Sequence, residues 1–143
     1  MSRVLSMRLR EEQIERLRRM ARRLGRTPSE TGALLVEESL RRSEFGHIDF
    51  RDSPVGRRAY IQGSTLAVWE VVMVAQAYDM DVARTAEHLQ WAPHHVQAAL
   101  NYAAAFPDEV YAAIADNDAM DWETVSRILP HVELFTVPFE ADE

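Results

Sequence analysis

The chain has 143 residues, a formal net charge of −7 and no cysteine, which excludes disulfides, zinc–thiolate sites and thiol nucleophiles. Hydrophobic residues make up 47% and charged residues 27%, ordinary for a globular protein. The longest apolar-rich run, "LAVWEVVMVAQAY", is interrupted by Glu70 and too short for a bilayer, and the chain opens without a signal-peptide-like apolar core. A cytoplasmic protein with no membrane contact is therefore expected. The charge is uneven. There is no lysine, and residues 1–45 hold eleven Arg against seven acids, residues 46–115 four against eight, and residues 116–143 one against eight. This asymmetry points to a basic, nucleic-acid-facing head and an acidic tail that meets something basic; solvated faces of mixed sign are the alternative.

Val4 to Leu9, within "RVLSMRL", alternates as a short strand does. Leu5, Met7 and Leu9 share one face, and Val4, Ser6 and Arg8 the other. Ile14, Leu17, Ala21 and Leu24 then recur at spacings of three and four, an amphipathic helical stripe. Glu12 with Arg16 and Glu15 with Arg19 are candidate i,i+4 ion pairs, and Gly25 stops the helix as a C′ glycine. "TPSE" is a strong second start, with Thr27 as cap, Pro28 at the first helical position and Glu30 completing a capping box. This helix is expected to run to about Arg42. Leu34, Leu35, Val36 and Leu40 are its apolar residues, and Gly32 is an internal weak point costing roughly 1 kcal/mol relative to Ala.

A lone strand leaves its backbone donors and acceptors without partners. If two copies pair, the strands form a two-stranded antiparallel ribbon and four helices close over Leu5, Met7 and Leu9. The outer row of Val4, Ser6 and Arg8 then suits the DNA major groove, where side chains read base edges. Arg3 and the N-terminus of the second helix, around Thr27 and Ser29, are expected at phosphates. The segment resembles the ribbon-helix-helix (MetJ/Arc-type) DNA-binding family over residues 3–42, on the strength of "RVLSMRL", the "LGRTPSE" junction and the two stripes. The resemblance implies a homodimer on operator DNA. Arg10 departs from the Ser or Pro usual before the first helix, so that helix is poorly capped. Thr31 and Gly32 stand where larger apolar residues are common, so something else is expected to pack there. A dimerisation arm that never touches DNA is the alternative.

"SEFGHIDFRDSPVGRRA" is rich in Gly, Ser, Asp and Pro and reads as a linker over residues 46–58, between the head at 1–45 and a small helical domain at 59–116. From Tyr60 a short extended piece turns at Gly63. Helices are expected over Val68–Tyr78, from the cap Asp81 to Leu89, from Pro93 to Phe106, and over Asp108–Asp116. Trp69, Val72, Met73 and Ala77 fall at helical spacing as a core stripe. Residues 59–107 resemble the small helical family catalogued as domain of unknown function 433, through Gly63 and Thr65 before "AVW", "VARTAEHL" and "VQAALNYAAAFPDEV". That resemblance implies an antitoxin, or part of one, acting on a PIN-like nuclease toxin. The helices at 81–89 and 93–106 also read as a helix-turn-helix-like unit presenting His94, His95 and Gln97. The net charge of −4 over residues 46–115 opposes close approach to phosphates, which favours packing or oligomerisation here.

Adjacent histidines lie about 100° apart on a helix, so His94 and His95 do not readily chelate one ion, and no HExxH-type companion exists. No Ser/His/Asp arrangement or paired carboxylate motif stands out either. No metal, cofactor or enzymatic activity is expected. The tail, residues 117–143, carries a candidate helix from Asp121 to Leu129, stopped by Pro130, and then the extended "HVELFTVPFEADE". It is too apolar for a solvated tail and too small for a domain; such segments order on a partner. Trp122, Arg127, Leu134, Phe135 and Phe139 are candidate toxin contacts, and folding back on the middle domain is the alternative. The resulting expectation is a mainly α protein: a ribbon-helix-helix dimer head, a small helical domain and a helix/extended tail. It would act as a type II antitoxin that represses its own promoter and blocks a nuclease toxin. The rivals are a stand-alone ribbon-helix-helix repressor and a hydrolase using His88, His94 and His95.

Overall fold

The strand expected over Val4–Leu9 is absent from the single chain. The computed structural model describes residues 2–133, and residues 2–10 belong to no regular element in it. A ladder needs a neighbouring strand, and the described residues supply none at this place.

The helices of the head begin and end where their caps dictate. Helix α1 (Glu11–Leu24) closes at Gly25, whose left-handed φ of 65° lets Arg26 N–H reach the Ala21 carbonyl at 3.0 Å. Its start is weak, as expected from Arg10. The Arg10 side chain accepts no hydrogen bond, and the entry is tied by Arg10 N–H donating to Gln13 Oε1 and Gln13 N–H donating to the Arg10 carbonyl, each at 2.9 Å. Helix α2 (Pro28–Glu44) has the full capping box: Glu30 N–H donates to Thr27 Oγ1 at 3.1 Å, and Thr27 N–H donates to Glu30 Oε2 at 3.4 Å. The ion pairs on α1 differ from the expected i,i+4 set. Glu12 meets Arg10 and Glu15 meets Arg18, each at 3.2 Å on exposed surface, where such pairs add little.

The segment expected as a linker is a β-hairpin. β1 (Ile48–Ser53) and β2 (Gly56–Ile61) pair antiparallel with Ile48 opposite Ile61, Phe50 opposite Ala59 and Asp52 opposite Arg57. Pro54 and Val55 form the loop. Ser53 Oγ donates to the Gly56 carbonyl at 2.7 Å, and Gly56 sits at φ 109°, which other residues rarely adopt. The Gly, Ser, Asp and Pro that suggest a linker are turn chemistry. Ile48, Ala59 and Ile61 are buried.

The chain divides into two compact units, 1–63 and 64–143. The boundary falls beside Gly63 (φ 78°) rather than inside 46–58. Within the second unit lie α3 (Val68–Ala77), α4 (Val82–Leu89), α5 (Pro93–Ala105), α6 (Pro107–Asp118) and α7 (Trp122–Ile128). Asp81 caps α4 through Arg84 N–H at 2.9 Å, and prolines open α5 and α6. α3 packs on α5 and α6, and α4 on α5. Their shared core includes Val68, Val71, Val72, Ala75, Ala86, Val96, Ala99, Tyr102, Val110 and Ile114, all buried. The expected α3 stripe is corrected: Val72 is buried, but Trp69 and Met73 are only half-buried and Ala77 is exposed. α3 is apolar nearly all round, so spacing alone does not select its inner face. Among the described residues the protein is mainly helical, with one two-stranded sheet, and no helix is long and apolar enough to cross a membrane.

Candidate functional site

The head presents an apolar face that is exposed among the described residues. Leu5 is 82% exposed, Met7 60% and Leu9 39%, and Val36 and Leu40 on α2 are also exposed. Two clefts of about 750 and 740 Å³ lie along this face. Met7, Leu9, Leu17 and Gly32 line both, and Leu5 and Val36 line the second. Val4 and Arg8 line neither, so the alternation read from the sequence separates the two faces at these positions. Ser6 does not follow it, since it lines the second cleft together with Arg3 and Ser29. Of the residues expected at DNA, Arg3, Ser6 and Ser29 thus converge, while Val4 and Arg8 stand apart, exposed. The Thr27 hydroxyl is engaged as the cap of α2, Pro28 has no N–H, and the N–H groups of Thr27, Glu30 and Thr31 are bonded within the cap, which leaves the Ser29 N–H to face an anion. Thr31, an oddity in the sequence, is fully buried, its hydroxyl donating to the Thr27 carbonyl at 2.9 Å.

Sequence reasoning missed the network that fastens the hairpin to the helices. Glu38, buried on α2, accepts two hydrogen bonds from Arg57, Nε to Oε1 and Nη2 to Oε2, both at 2.8 Å. Arg57 Nη1 also meets Asp52 at 3.1 Å, and Asp52 reaches Arg23 of α1 at 3.3 Å. The Glu38 carboxylate, with Asp52 behind it, holds the Arg57 guanidinium above its ordinary range, against desolvation. One carboxylate therefore ties α2 to β2, and another ties β1 to α1. In the sequence Glu37 and Glu38 both read as surface acids, and the only available signal was the hairpin register that sets Asp52 against Arg57.

In the second unit α4 and α5 lie within a residue of the expected bounds and pack on each other, with Gln90 left-handed (φ 56°) between them. Gln97 donates to Asn101 at 2.9 Å on the exposed side of α5. Tyr78 Oη lies 2.7 Å from His88 Nδ1, and the Arg84 guanidinium lies 5.1 Å from the Tyr78 ring. The His94 and His95 rings approach to 4.3 Å between centroids, closer than their helical offset suggests.

α7 contributes no residue to a core. Trp122, Ile128 and Leu129 are exposed, and Arg127 pairs with Glu123 at 2.9 Å. Asp121 caps the helix by accepting from Thr124, whose hydroxyl and N–H hold the carboxyl below its ordinary range. Leu134, Phe135 and Phe139 lie outside the described residues. The electrostatics divide with the units: residues 1–63 hold 14 Arg against 9 acids, net +5, and residues 64–143 hold 2 Arg against 14 acids, net −12. No protein-family model matches the chain, and neither a curated protein nor a solved structure matches it.

Proposed function

We propose that the chain is an antitoxin whose basic head binds operator DNA as a homodimer and whose acidic C-terminal part binds and blocks a nuclease-like toxin. The observation that carries the reading is the bare apolar face of Leu5, Met7 and Leu9 beside two arginine-bearing helices. A second copy that paired along residues 4–9 would cover this face and supply the missing ladder. It would also set Val4 and Arg8 in an outward row of the width a major groove accepts. Covering such side chains contributes about 1.5–3 kcal/mol for each fully buried residue, enough to offset much of the cost of association.

At the other end, α7 offers Trp122, Ile128 and Leu129 together with acids, on a unit of net −12. A protein that handles nucleic acid carries a basic rim, and an acidic surface speeds encounter with it. Aromatic and aliphatic anchors then hold the contact. The test has two arms. Arg8→Ala is expected to weaken operator binding by about 1–3 kcal/mol, a base-specific loss if it takes a guanine and a uniform loss with a smaller salt slope if it takes a phosphate. A chain ending at Met120 keeps α6 and is expected to bind DNA normally yet fail to rescue cells from the toxin of a neighbouring gene. Undiminished operator affinity of Arg8→Ala on every sequence would remove the DNA face, and full rescue by the shortened chain would move toxin binding elsewhere.

A further inference from the structure

We propose that Gly32 is a socket that receives Leu5 of a second copy, and that this fit selects the homodimer over other pairings. The inference rests on the dimeric head proposed above and specifies how its two copies interlock. Gly32 lies on α2 where a larger apolar residue would complete the helix face, and it lines both clefts with Met7, Leu9 and Leu17. Exposure along the inner face falls from Leu5 at 82% through Met7 at 60% to Leu9 at 39%. Leu9 is therefore the most covered of the three and Leu5 nearly bare, with no described residue of its own chain closing over it.

Strand geometry directs where that side chain goes. In an antiparallel pairing of residues 4–9 with themselves, the inner faces coincide only when odd-numbered residues oppose odd-numbered ones, because a one-residue slip turns the whole face over. The two registers that keep the ribbon centred set the second copy's Leu5 opposite either Met7 or Leu9. Both of these side chains border Gly32, so either register delivers Leu5 to the same depression.

The space at Gly32 also separates a small substitution from a large one. A methyl group there would meet only Leu17 Cδ2, at 3.9 Å, an ordinary contact. Gly32→Ala is thus expected to leave the dimer constant within about threefold of the parent, since alanine fits within its own chain and favours the helix. Gly32→Leu fills the socket and is expected to weaken the dimer at least about a hundredfold in sedimentation equilibrium of the full chain. Helical content read by circular dichroism stays at or above the parent value at matched assembly. The double variant Leu5→Ala/Gly32→Leu restores the summed volume to within one methyl group and is expected to recover most of the lost affinity, which a misfolded helix would not do. A dimer constant for Gly32→Leu within threefold of the parent, or failure of the double variant to recover, overturns the socket while leaving the dimer itself standing. A parent chain that sediments as a folded monomer, its groove filled by another segment of the same chain or by nothing, overturns both.

Discussion

The two halves of this molecule solve the problem of burial differently. In the second unit, valines 68, 71, 72 and 96, Tyr102 and Ile114 are buried against one another by helices of the same chain. In the first, the fully buried hydrophobics among the described residues are Ala21, Ile48, Ala59 and Ile61, while Ile14, Leu17, Leu24, Leu34 and Leu35 are half-buried, Leu5, Met7, Leu9, Val36 and Leu40 are exposed, and Glu38 is buried. A unit of about 60 residues sits at the margin of what can be stabilised alone. The contrast teaches that the second unit buries its own core, while the head leaves apolar side chains exposed that the proposed pairing would cover.

The strongest way to break this contrast is to place one damaging change in each half. Met7→Asp puts a carboxylate on the face that pairing would bury. It is expected to weaken the dimer by about 3–5 kcal/mol, two to four decades in dissociation constant, and to collapse the head helices at micromolar concentration. The second unit should still unfold at its usual temperature. Tyr102→Ala is the mirror test. It empties a site that is fully buried and is expected to cost about 3–5 kcal/mol in the second unit, with the dimer constant unchanged. If Met7→Asp leaves sedimentation unaltered, the head is complete in one chain and the contrast is false.

A smaller effect sharpens the account of the head. Arg57→Ala strands the buried Glu38 carboxylate, at a cost of about 2–4 kcal/mol after allowing for the part of Arg57 that water reaches. Lysine cannot reproduce the two-pronged contact and is expected to fall between. Replacing both Glu38 and Arg57 with Met removes charge and partner together and is expected to restore most of the loss, because well-packed apolar side chains replace a buried pair with little penalty. Denaturant midpoints of the head would measure all three. Loss in the double variant as large as in Arg57→Ala would mean that the network orients the hairpin by direction rather than by filling space.

How far these features could be read from the sequence follows from how local their causes are. Gly25, the Thr27–Glu30 box, Pro93, Pro107 and Asp121 mark helix ends through short-range chemistry, and α1 to α7 lie within a few residues of the expected positions. The hairpin was hidden because Ser53, Pro54 and Gly56 serve a tight turn and a flexible linker equally well, although Ile48, Phe50, Ala59 and Ile61 alternate on either side. Glu38 was illegible, since its burial depends on an arginine nineteen positions away. Of the candidate DNA row, Val4 and Arg8 stand outside the clefts and Ser6 lines one, while exposure does not separate the two faces because residues 2–10 are all exposed.

The smallest expected effect lies at the far end, in α7. This seven-residue helix has no fully buried residue, only Thr124, Val125 and Ser126 half-buried, so its N-terminal cap bears much of its order. Asp121 accepts from the Thr124 hydroxyl and N–H, and those donors hold its carboxyl below the ordinary aspartate value of 3.8. The folded helix thus prefers the ionised cap. Its contribution is fully present above the unfolded value and is lost as pH falls through the lower folded one. Amide exchange at Thr124, followed from neutral pH downward, is expected to keep its protection through the ordinary aspartate range and lose it only below. Asp121→Ala should remove the protection at every pH, whereas Asp121→Asn keeps an acceptor without a titrating charge and should flatten the dependence. Because Trp122 is the first residue of the helix, a frayed cap also scatters the aromatic anchor. Toxin association should therefore slow in Asp121→Ala while the head dimer stays intact. Equal exchange at Thr124 in all three chains would show that the cap does not order α7, and that the exposed residues gain their arrangement only on the toxin.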